Sequence, residues 1–392
     1  MNQPVLLHIV EKLEGLLGKL PATIQKPILS ELTPLKELFL QQRSPRLVLL
    51  GSSKPTVPEL LTMLFRLSEP GQTPDTPMSV YRWQDVNAGG HGTVSILDAR
   101  GMTGPANREV QEEIRRQPAD VILFVDDGEQ TRGPRKVEIE NLIACVDWND
   151  APQVNTKIIG VVLSSTAAAV TKLKEVLASK PTIRDRILKV FAFSSADASS
   201  LNTQELMSTL ARELPNEARV EMIRISQDRE AQREVAQVLV KSTTAICTAI
   251  GAQPIPFADL PILTTLQLVM VSGIMYLSGR ERSLRAATEF VGALGANVGV
   301  GMLLREGARA LLKFVPGWGN VICGVVAGAG TYAIGRAAIA FFLEGVSLKD
   351  ARRTYLASRK KRPGAVLPAL QQAKADRLPA NKRKARGSRN GP

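Results

Sequence analysis

Between residues 45 and 215 the chain alternates short apolar runs with segments of helical periodicity. The runs are RLVLLG, SVYRWQDV, TVSILDARG, DVILFVDDG, KIIGVVLSS and KVFAFSSAD. Short apolar runs separated by helices indicate a parallel sheet, because parallel strands need a long crossover connection between them. The sequence therefore predicts an α/β domain over residues 45–215, with a mostly parallel sheet and flanking helices.

Two neighbouring regions differ from this one in composition. Residues 1–44 carry leucines at three- and four-residue spacings, which predicts N-terminal helices. Residues 216–357 contain four stretches without a charged residue and predict an all-α C-terminal domain. Two stretches, 260–279 and 314–335, reach the roughly 20 residues that a membrane-spanning helix needs. A buried helical bundle in water would also produce them, so membrane association and a soluble bundle both stay open.

Small residues recur at helical spacing in these apolar stretches. Gly292, Gly295 and Gly299 form one set, and Gly324 and Gly328 form another. Such spacing would let helices approach closely in lipid or in water.

The positive charge lies mostly at the C-terminus. The net charge is +13, and residues 359–392 hold eleven basic residues and one acid. Together with several prolines, this composition predicts a disordered basic tail over residues 358–392. Its partner would be anionic lipid or nucleic acid, or the tail would only add solubility.

Cysteine and histidine are too sparse for the commonest metal and catalytic sites. Cys145, Cys247 and Cys323 lie far apart without CxxC spacing, which argues against a disulfide framework and a zinc cluster. His8 and His91 are the only histidines, and His91 follows two glycines in a predicted turn. We therefore predict a reducing, intracellular compartment, no metal site and no catalytic residue.

The first apolar run ends where a phosphate-binding loop would begin. Such a loop has the pattern Gly-x-x-x-x-Gly-Lys-[Ser/Thr], in which backbone N–H groups, the Lys and the hydroxyl hold phosphates and magnesium. Counted from Gly51, the last three positions hold Thr56, Val57 and Pro58. The helix pattern beyond is kept, with Pro58 at about the first helical position. Lys54 is either a substitute cation or a plain surface lysine.

Acidic residues follow the third and fourth apolar runs. Asp98 and Gly101 form a D-x-x-G pattern. In nucleotide switches the Asp supports magnesium through water, and the Gly N–H senses the γ-phosphate. Asp126 and Asp127 end the next run, and we interpret them as a solvated turn, not as a catalytic pair.

The last two runs end where a guanine base would be read. A base-reading strand should end in Asn-Lys-x-Asp, but residues 164–167 read Ser-Ser-Thr-Ala and offer no carboxylate. Ser195 and Ala196 stand at the turn whose backbone usually touches the base.

Taken in order, these features resemble an Era-like GTPase domain of the P-loop class. The resemblance covers roughly residues 45–215 and rests on the loop after Arg46, Asp98-Ala99-Arg100-Gly101, DVILFVDDG, the apolar strand at 157–163 and Ser194-Ser195-Ala196. It implies binding and hydrolysis of GTP with Mg²⁺. The loop Lys, the metal-binding hydroxyl and the base-reading Asp are all missing, so phosphoryl transfer would lose its main electrostatic stabilisation.

A second resemblance lies in the C-terminal half. Residues 251–279 resemble the Pro-Ile-Pro-x-x-Asp…Leu-x-x-x-Gln signature of YcjF-type helical modules, at Pro254, Pro256, Asp259 and Gln267. Such modules follow GTPase domains of this class in bacteria and are associated with the inner membrane. The resemblance implies a location at the cytoplasmic face of that membrane.

The leading prediction is a pseudo-GTPase that binds no cofactor and acts as a scaffold or regulator. Its partners would be an intact GTPase or another protein, together with the inner membrane or anionic lipid. The vestigial nucleotide pocket would comprise Gly51, Lys54, Asp98, Gly101, Ser195 and Ala196. One alternative is a divergent active GTPase that binds GTP and Mg²⁺. A second is a nucleic-acid-binding protein that uses residues 359–392.

Overall fold

The structure is a computed structural model, and twelve stretches of the chain are described. They are residues 33, 37–38, 41–65, 81–88, 92–103, 107–128, 134–150, 156–164, 166–193, 200–252, 260–295 and 318–360. The chain divides into two compact units, of which one is Glu37–Gln232 and the other contains Arg233–Pro392. We call them the sheet unit and the helical unit. Predictions for residues 1–32 and for the tail beyond residue 360 lie outside the described residues.

The sheet unit contains a six-stranded sheet with the order β2-β3-β1-β4-β5-β6. Its strands are β1 Arg46–Gly51, β2 Trp83–Asn87, β3 Thr93–Asp98, β4 Val121–Asp126, β5 Lys157–Val162 and β6 Ile187–Ala192. Only the pairing of β2 with β3 is antiparallel, and all other neighbours are parallel. The predicted mostly parallel sheet is confirmed.

Seven helices of the sheet unit have bounds in the described residues. They are α1 Val57–Phe65, α2 Arg108–Arg116, α3 Lys136–Asn149, α4 Ala167–Ala178, α5 Pro181–Arg184, α6 Ser200–Glu213 and α7 Asn216–Ser226. Every residue of β4 is buried, and so is β1 beyond Arg46. Since successive side chains of a strand point to opposite faces, both faces of the sheet centre must be covered.

The helical unit contains the rest of the described helices. They are most of α8 Arg229–Gly251, then α9 Leu260–Leu277, α10 Leu284–Gly295, α11 Trp318–Ala338, a π-helical turn Ile339–Leu343 and α12 Leu348–Lys360. This confirms the predicted helical C-terminal part. The border between the two units falls inside α8, after Gln232, whereas the predicted domains meet at residue 215.

Glycines let α11 pack closely against α8. A Cβ at Gly324 would lie 2.8 Å from the Thr248 carbonyl oxygen, and one at Gly328 would lie 2.1 Å from Thr248 Oγ1. The close approach predicted from this pair is confirmed. For Gly292, no atom of the described residues lies within 4 Å of a Cβ built there. Gly299 and the residues up to 317 lie outside the described part of the chain, so close helix approach at this set stays a prediction.

One described segment, Gly324–Leu343, is long and apolar enough to cross a membrane. The apolar part of α9, Ile262–Leu277, is shorter, and 56% of the longer segment is buried inside the protein. The core helix of a soluble protein has the same length and composition. Both interpretations of the helical unit therefore stay open.

Of the four residues named for the second resemblance, Gln267 lies in the described part of the chain. Its Nε2 donates a hydrogen bond of 2.9 Å to Thr331 Oγ1, which ties α9 to α11. Pro254, Pro256 and Asp259 lie outside the described residues.

Candidate functional site

The sheet topology places the candidate site above the ends of β1 and β4. The chain leaves β1 toward β2 on one side of the sheet and leaves β4 toward β5 on the other side. The two loops diverge, so a crevice opens between them at the carboxyl ends of the strands. Ligands of open α/β sheets bind at such a switch point.

The loop after β1 begins with a turn that only glycine can make without strain. Gly51 has a φ of 93°, and a Cβ there would lie 2.1 Å from the carbonyl oxygen of Val125. The next residue, Ser52, donates its backbone N–H to the same oxygen at 2.8 Å. The loop is therefore held directly against β4.

Side chains of the chain itself cap the helix that follows this loop. Glu59 donates its backbone N–H to Thr56 Oγ1 at 3.3 Å, and Thr56 donates its own to Glu59 Oε2 at 2.8 Å. This is a capping box, and the hydrogen bonds from Thr56 lower the pKa of Glu59. In a phosphate loop the helix N-terminus faces an anionic ligand. Here the anion is Glu59, which sequence reasoning missed although Thr-x-x-Glu is the pattern of a capping box.

A buried arginine neutralises Asp98. Arg100 Nε and Nη2 donate to the two carboxylate oxygens of Asp98 at 2.8 and 3.1 Å. Nη1 donates to the carbonyl oxygen of Pro55 at 2.7 Å. The Arg100 side chain is 3% exposed, so this cation is an integral part of the loop structure. Sequence reasoning gave Arg100 no role, because no motif predicts that its side chain folds back onto Asp98.

A second ion pair spans the crevice between β1 and β4. Lys54 Nζ lies 2.9 Å from Asp127 Oδ2. The Lys54 side chain is 55% exposed, so solvent screens this pair. A phosphate that used Lys54 as its substitute cation would have to compete with Asp127.

The neighbouring acid, Asp126, is buried at the end of β4. Burial, followed by the charges of Asp127 and Glu138, raises its pKa from the usual 3.8 to about 6. The interpretation of this segment as a solvated turn is therefore wrong for Asp126. The reason is that β4 is central, so even its last residue is covered.

On the side where a base would lie, two loops pack against each other. Gly128 has a φ of 73°, and a Cβ there would lie 2.5 Å from Ser164 Cβ. The hydroxyl groups of Ser164 and Thr166 lie 3.0 Å apart, at the start of α4. Ser195 and Ala196, the predicted base-contacting turn, lie outside the described residues, as does His91.

A cavity of about 260 Å³ lies beside the loop after β1, on the side of α3. Its lining comes from the loop after β1, the segment after β3 and the first turns of α3. The residues are Leu50, Gly51, Ser53, Ala99, Gly101, Met102, Thr103, Arg135, Val137, Glu138 and Asn141. Asn141 is 4% exposed, and its Nδ2 donates to the Met102 carbonyl oxygen at 3.1 Å. Its Oδ1 is buried without a hydrogen-bond partner among the described residues.

The structure thus places four of the six predicted site residues along the carboxyl edge of β1 and β3. Gly51 and Gly101 line the cavity. Lys54 and Asp98 are held in separate ion pairs within the sheet unit. Sequence reasoning missed Asn141 because a lone Asn inside a helix carries no motif.

Comparison with known proteins gives a distant similarity to a membrane protein. No protein-family model matches the chain. The chain is 29% identical to magnetosome membrane protein 22 of Magnetospirillum gryphiswaldense over 153 residues. The alignment covers 36% of this chain and 76% of the relative. The comparisons give no independent support to the resemblance to Era-like GTPases or to YcjF-type modules.

Proposed function

We propose that the protein is a catalytically inert, G-domain-like scaffold or regulator that associates with a membrane through its helical unit. One observation carries this proposal. The guanidinium of Arg100 engages both carboxylate oxygens of Asp98, the residue that would support magnesium in a GTPase. A Mg²⁺ ion would have to approach a carboxylate whose charge is already compensated by a buried cation.

Phosphate binding meets a similar obstacle at the loop after β1. Glu59 places a carboxylate at the N-terminus of α1, and Lys54 is paired with Asp127. An incoming phosphate would be repelled by Glu59 and would find no lysine at the usual position, which holds Val57. We therefore propose that the pocket binds neither GTP nor Mg²⁺ at cellular concentrations.

The membrane part of the proposal has three supports. The segment Gly324–Leu343 has the length and composition of a membrane span. The similar protein of Magnetospirillum gryphiswaldense is named as a membrane protein. Helix α12 exposes Leu348 and Leu356 beside basic residues such as Arg353, as an interfacial helix does on anionic lipid. We place the protein at the cytoplasmic face of a bacterial inner membrane, with an intact GTPase or another protein as its partner.

A thermal-shift titration tests the nucleotide half. We expect the melting temperature of the full chain to stay unchanged with GTP and Mg²⁺ up to 1 mM. A ligand at about 100 times its Kd would stabilise the protein by roughly 2.7 kcal/mol, which gives a clear upward shift. Such a shift would contradict the proposal.

Co-sedimentation with vesicles tests the membrane half. The probes are vesicles of phosphatidylethanolamine with and without phosphatidylglycerol, and the variants are deletion of residues 361–392 and the double change Leu348→Ser with Leu356→Ser. We expect the full chain to pellet with vesicles and the truncated chain to keep most of this binding. A full chain that stays in the supernatant with both vesicle types contradicts membrane association. Loss of all binding on truncation would assign the contact to the tail instead.

A further inference from the structure

Asn141, one of the residues that line the cavity beside α3, carries a buried polar atom that a simple packing gap does not explain. Asn141 Oδ1 is buried and has no partner in the described part of the chain, while the amide nitrogen of the same side chain is fixed by Met102. The bond to Met102 sets the orientation of the amide, since turning it over would bring two oxygens together. Buried polar atoms without a partner are rare in native proteins and need an explanation.

A second residue of the cavity lining, Glu138, also carries hydrogen-bond acceptors. Glu138 and Asn141 stand three residues apart on α3, so their side chains are neighbours on one face of the helix. The Glu138 carboxylate accepts the Arg135 backbone N–H at 2.8 Å and lies 3.3 Å from Arg135 Nε. A carboxylate has about four acceptor positions, so Glu138 keeps capacity for a further donor.

The charges around the cavity favour a cation over an anion. The Glu138 side chain is 14% exposed, while the Arg135 side chain that accompanies it is 74% exposed and thus well screened. Asp126 is buried close enough to Glu138 for the two charges to interact. The rest of the lining mixes apolar side chains, such as Leu50 and Met102, with the hydroxyl-bearing Ser53 and Thr103. The volume lies slightly below the range of about 300–1,000 Å³ typical of ligand pockets, so the ligand must be compact.

We propose that this cavity is a binding site for a compact molecule that carries an amidinium, guanidinium or ammonium group. The N–H donors of that group would bind Asn141 Oδ1 and the Glu138 carboxylate, and the apolar remainder would contact Leu50 and Met102. The site requires neither nucleotide nor membrane, so its test is independent of the test of the proposed scaffold role.

Three probes of nearly equal size test the proposed chemistry. Benzamidine is a cationic N–H donor, benzamide is a neutral N–H donor, and benzoate is an anion with acceptors only. Binding to the purified full chain is measured by ligand-observed NMR titration up to 10 mM. We expect benzamidine to bind with a Kd of about 0.1–1 mM, benzamide to bind more weakly and benzoate not to bind.

Matched variants of α3 locate the binding. Asn141→Leu keeps the volume and removes the buried acceptor, and we expect it to weaken benzamidine binding about tenfold or more. Glu138→Gln should remove the preference for benzamidine over benzamide. Glu140→Gln is the control, since Glu140 is an exposed residue of the same helix, and it should leave binding unchanged.

Several results would overturn this proposal. Benzoate that binds as tightly as benzamidine would contradict it, and so would unchanged benzamidine binding in Asn141→Leu. The absence of binding of any probe at 10 mM would also contradict it and would mean that water alone satisfies Asn141. If Asn141→Leu fails to fold by circular dichroism, Glu138→Gln decides, because unchanged preference for benzamidine in that variant contradicts the proposed contact.

Discussion

The two sides of the loop after β1 differ in how their polar groups are partnered. On the crevice side, Lys54 pairs with Asp127 and Arg100 with Asp98, so the charges that would meet a nucleotide are satisfied within the chain. On the α3 side, Asn141 keeps a buried acceptor without a partner in the described residues. The difference suggests that internal ion pairs can maintain a phosphate-loop-like backbone without a nucleotide, and the proposed ligand site lies beside this loop.

The largest expected effect is that of Gly51→Ala. This variant tests whether the glycine turn is needed to hold the loop after β1 against β4. A Cβ would collide with the Val125 carbonyl at 2.1 Å and would strain a φ of 93°. We expect a loss of about 4 kcal/mol or more in the free energy of unfolding, measured by urea denaturation. Gly101→Ala is the matched control, because Gly101 also has a positive φ but no atom of the described residues within 4 Å of a Cβ. It should cost about 1–2 kcal/mol, and equal losses in both variants would show that the contact with β4 does not matter.

The next largest effect concerns the ion pair that replaces the metal. Arg100→Met leaves the Asp98 carboxylate and the Pro55 carbonyl without their buried donor. We expect a loss of about 3 kcal/mol in the free energy of unfolding. Adding Asp98→Asn should recover part of that loss, since a neutral amide needs no cation, and the double-mutant cycle measures the coupling. An Arg100→Met protein as stable as the wild type would contradict the assigned role of this pair.

Asp126 gives a pH-dependent effect of intermediate size. Its folded pKa of about 6 lies above its usual value of 3.8, so ionised Asp126 destabilises the fold above pH 6. This destabilisation is relieved as the pH falls from about 6 to about 4. We expect Asp126→Asn to be more stable than the wild type by about 2 kcal/mol at pH 7 and nearly equal at pH 4. Asp147→Asn, at an exposed position of α3, is the control. A stability gap that widens toward pH 4 would refute the burial argument.

The smallest effect is expected for Lys54→Ala. Its pair with Asp127 is more than half exposed on the lysine side, so its removal should change the free energy of unfolding by less than about 1 kcal/mol. The melting temperature with and without GTP and Mg²⁺ should also be the same in this variant as in the wild type. A nucleotide-induced shift in the wild type that Lys54→Ala abolishes would favour the divergent active GTPase.

The sheet and the flanking helices could be predicted from the sequence, because their apolar periodicity reflects burial that the sheet requires. The turn at Gly51 followed from the phosphate-loop register, and α1 begins at Val57, one residue before Pro58. The close helix approach at Gly324 and Gly328 was predicted from glycine spacing, but the spacing did not identify Thr248 as the contact. Spacing shows where helices could approach, but a partner helix decides whether they do.

The polar contacts of the site could not be predicted in the same way. Arg100 and Asp98 are two residues apart, and their pairing depends on the loop backbone that brings Pro55 above them. The burial of Asp126 depends on the strand order, which places β4 at the centre of the sheet. The role of Asn141 depends on a gap between three separate segments, and no local pattern encodes such a gap.

Calorimetric titration of the full chain with GTP and Mg²⁺, combined with an assay for released phosphate, tests the central claim most directly. The proposed internal pairing of Asp98 with Arg100 predicts no binding heat at up to 1 mM nucleotide and no phosphate release above the rate without protein. Micromolar binding accompanied by phosphate release would contradict it.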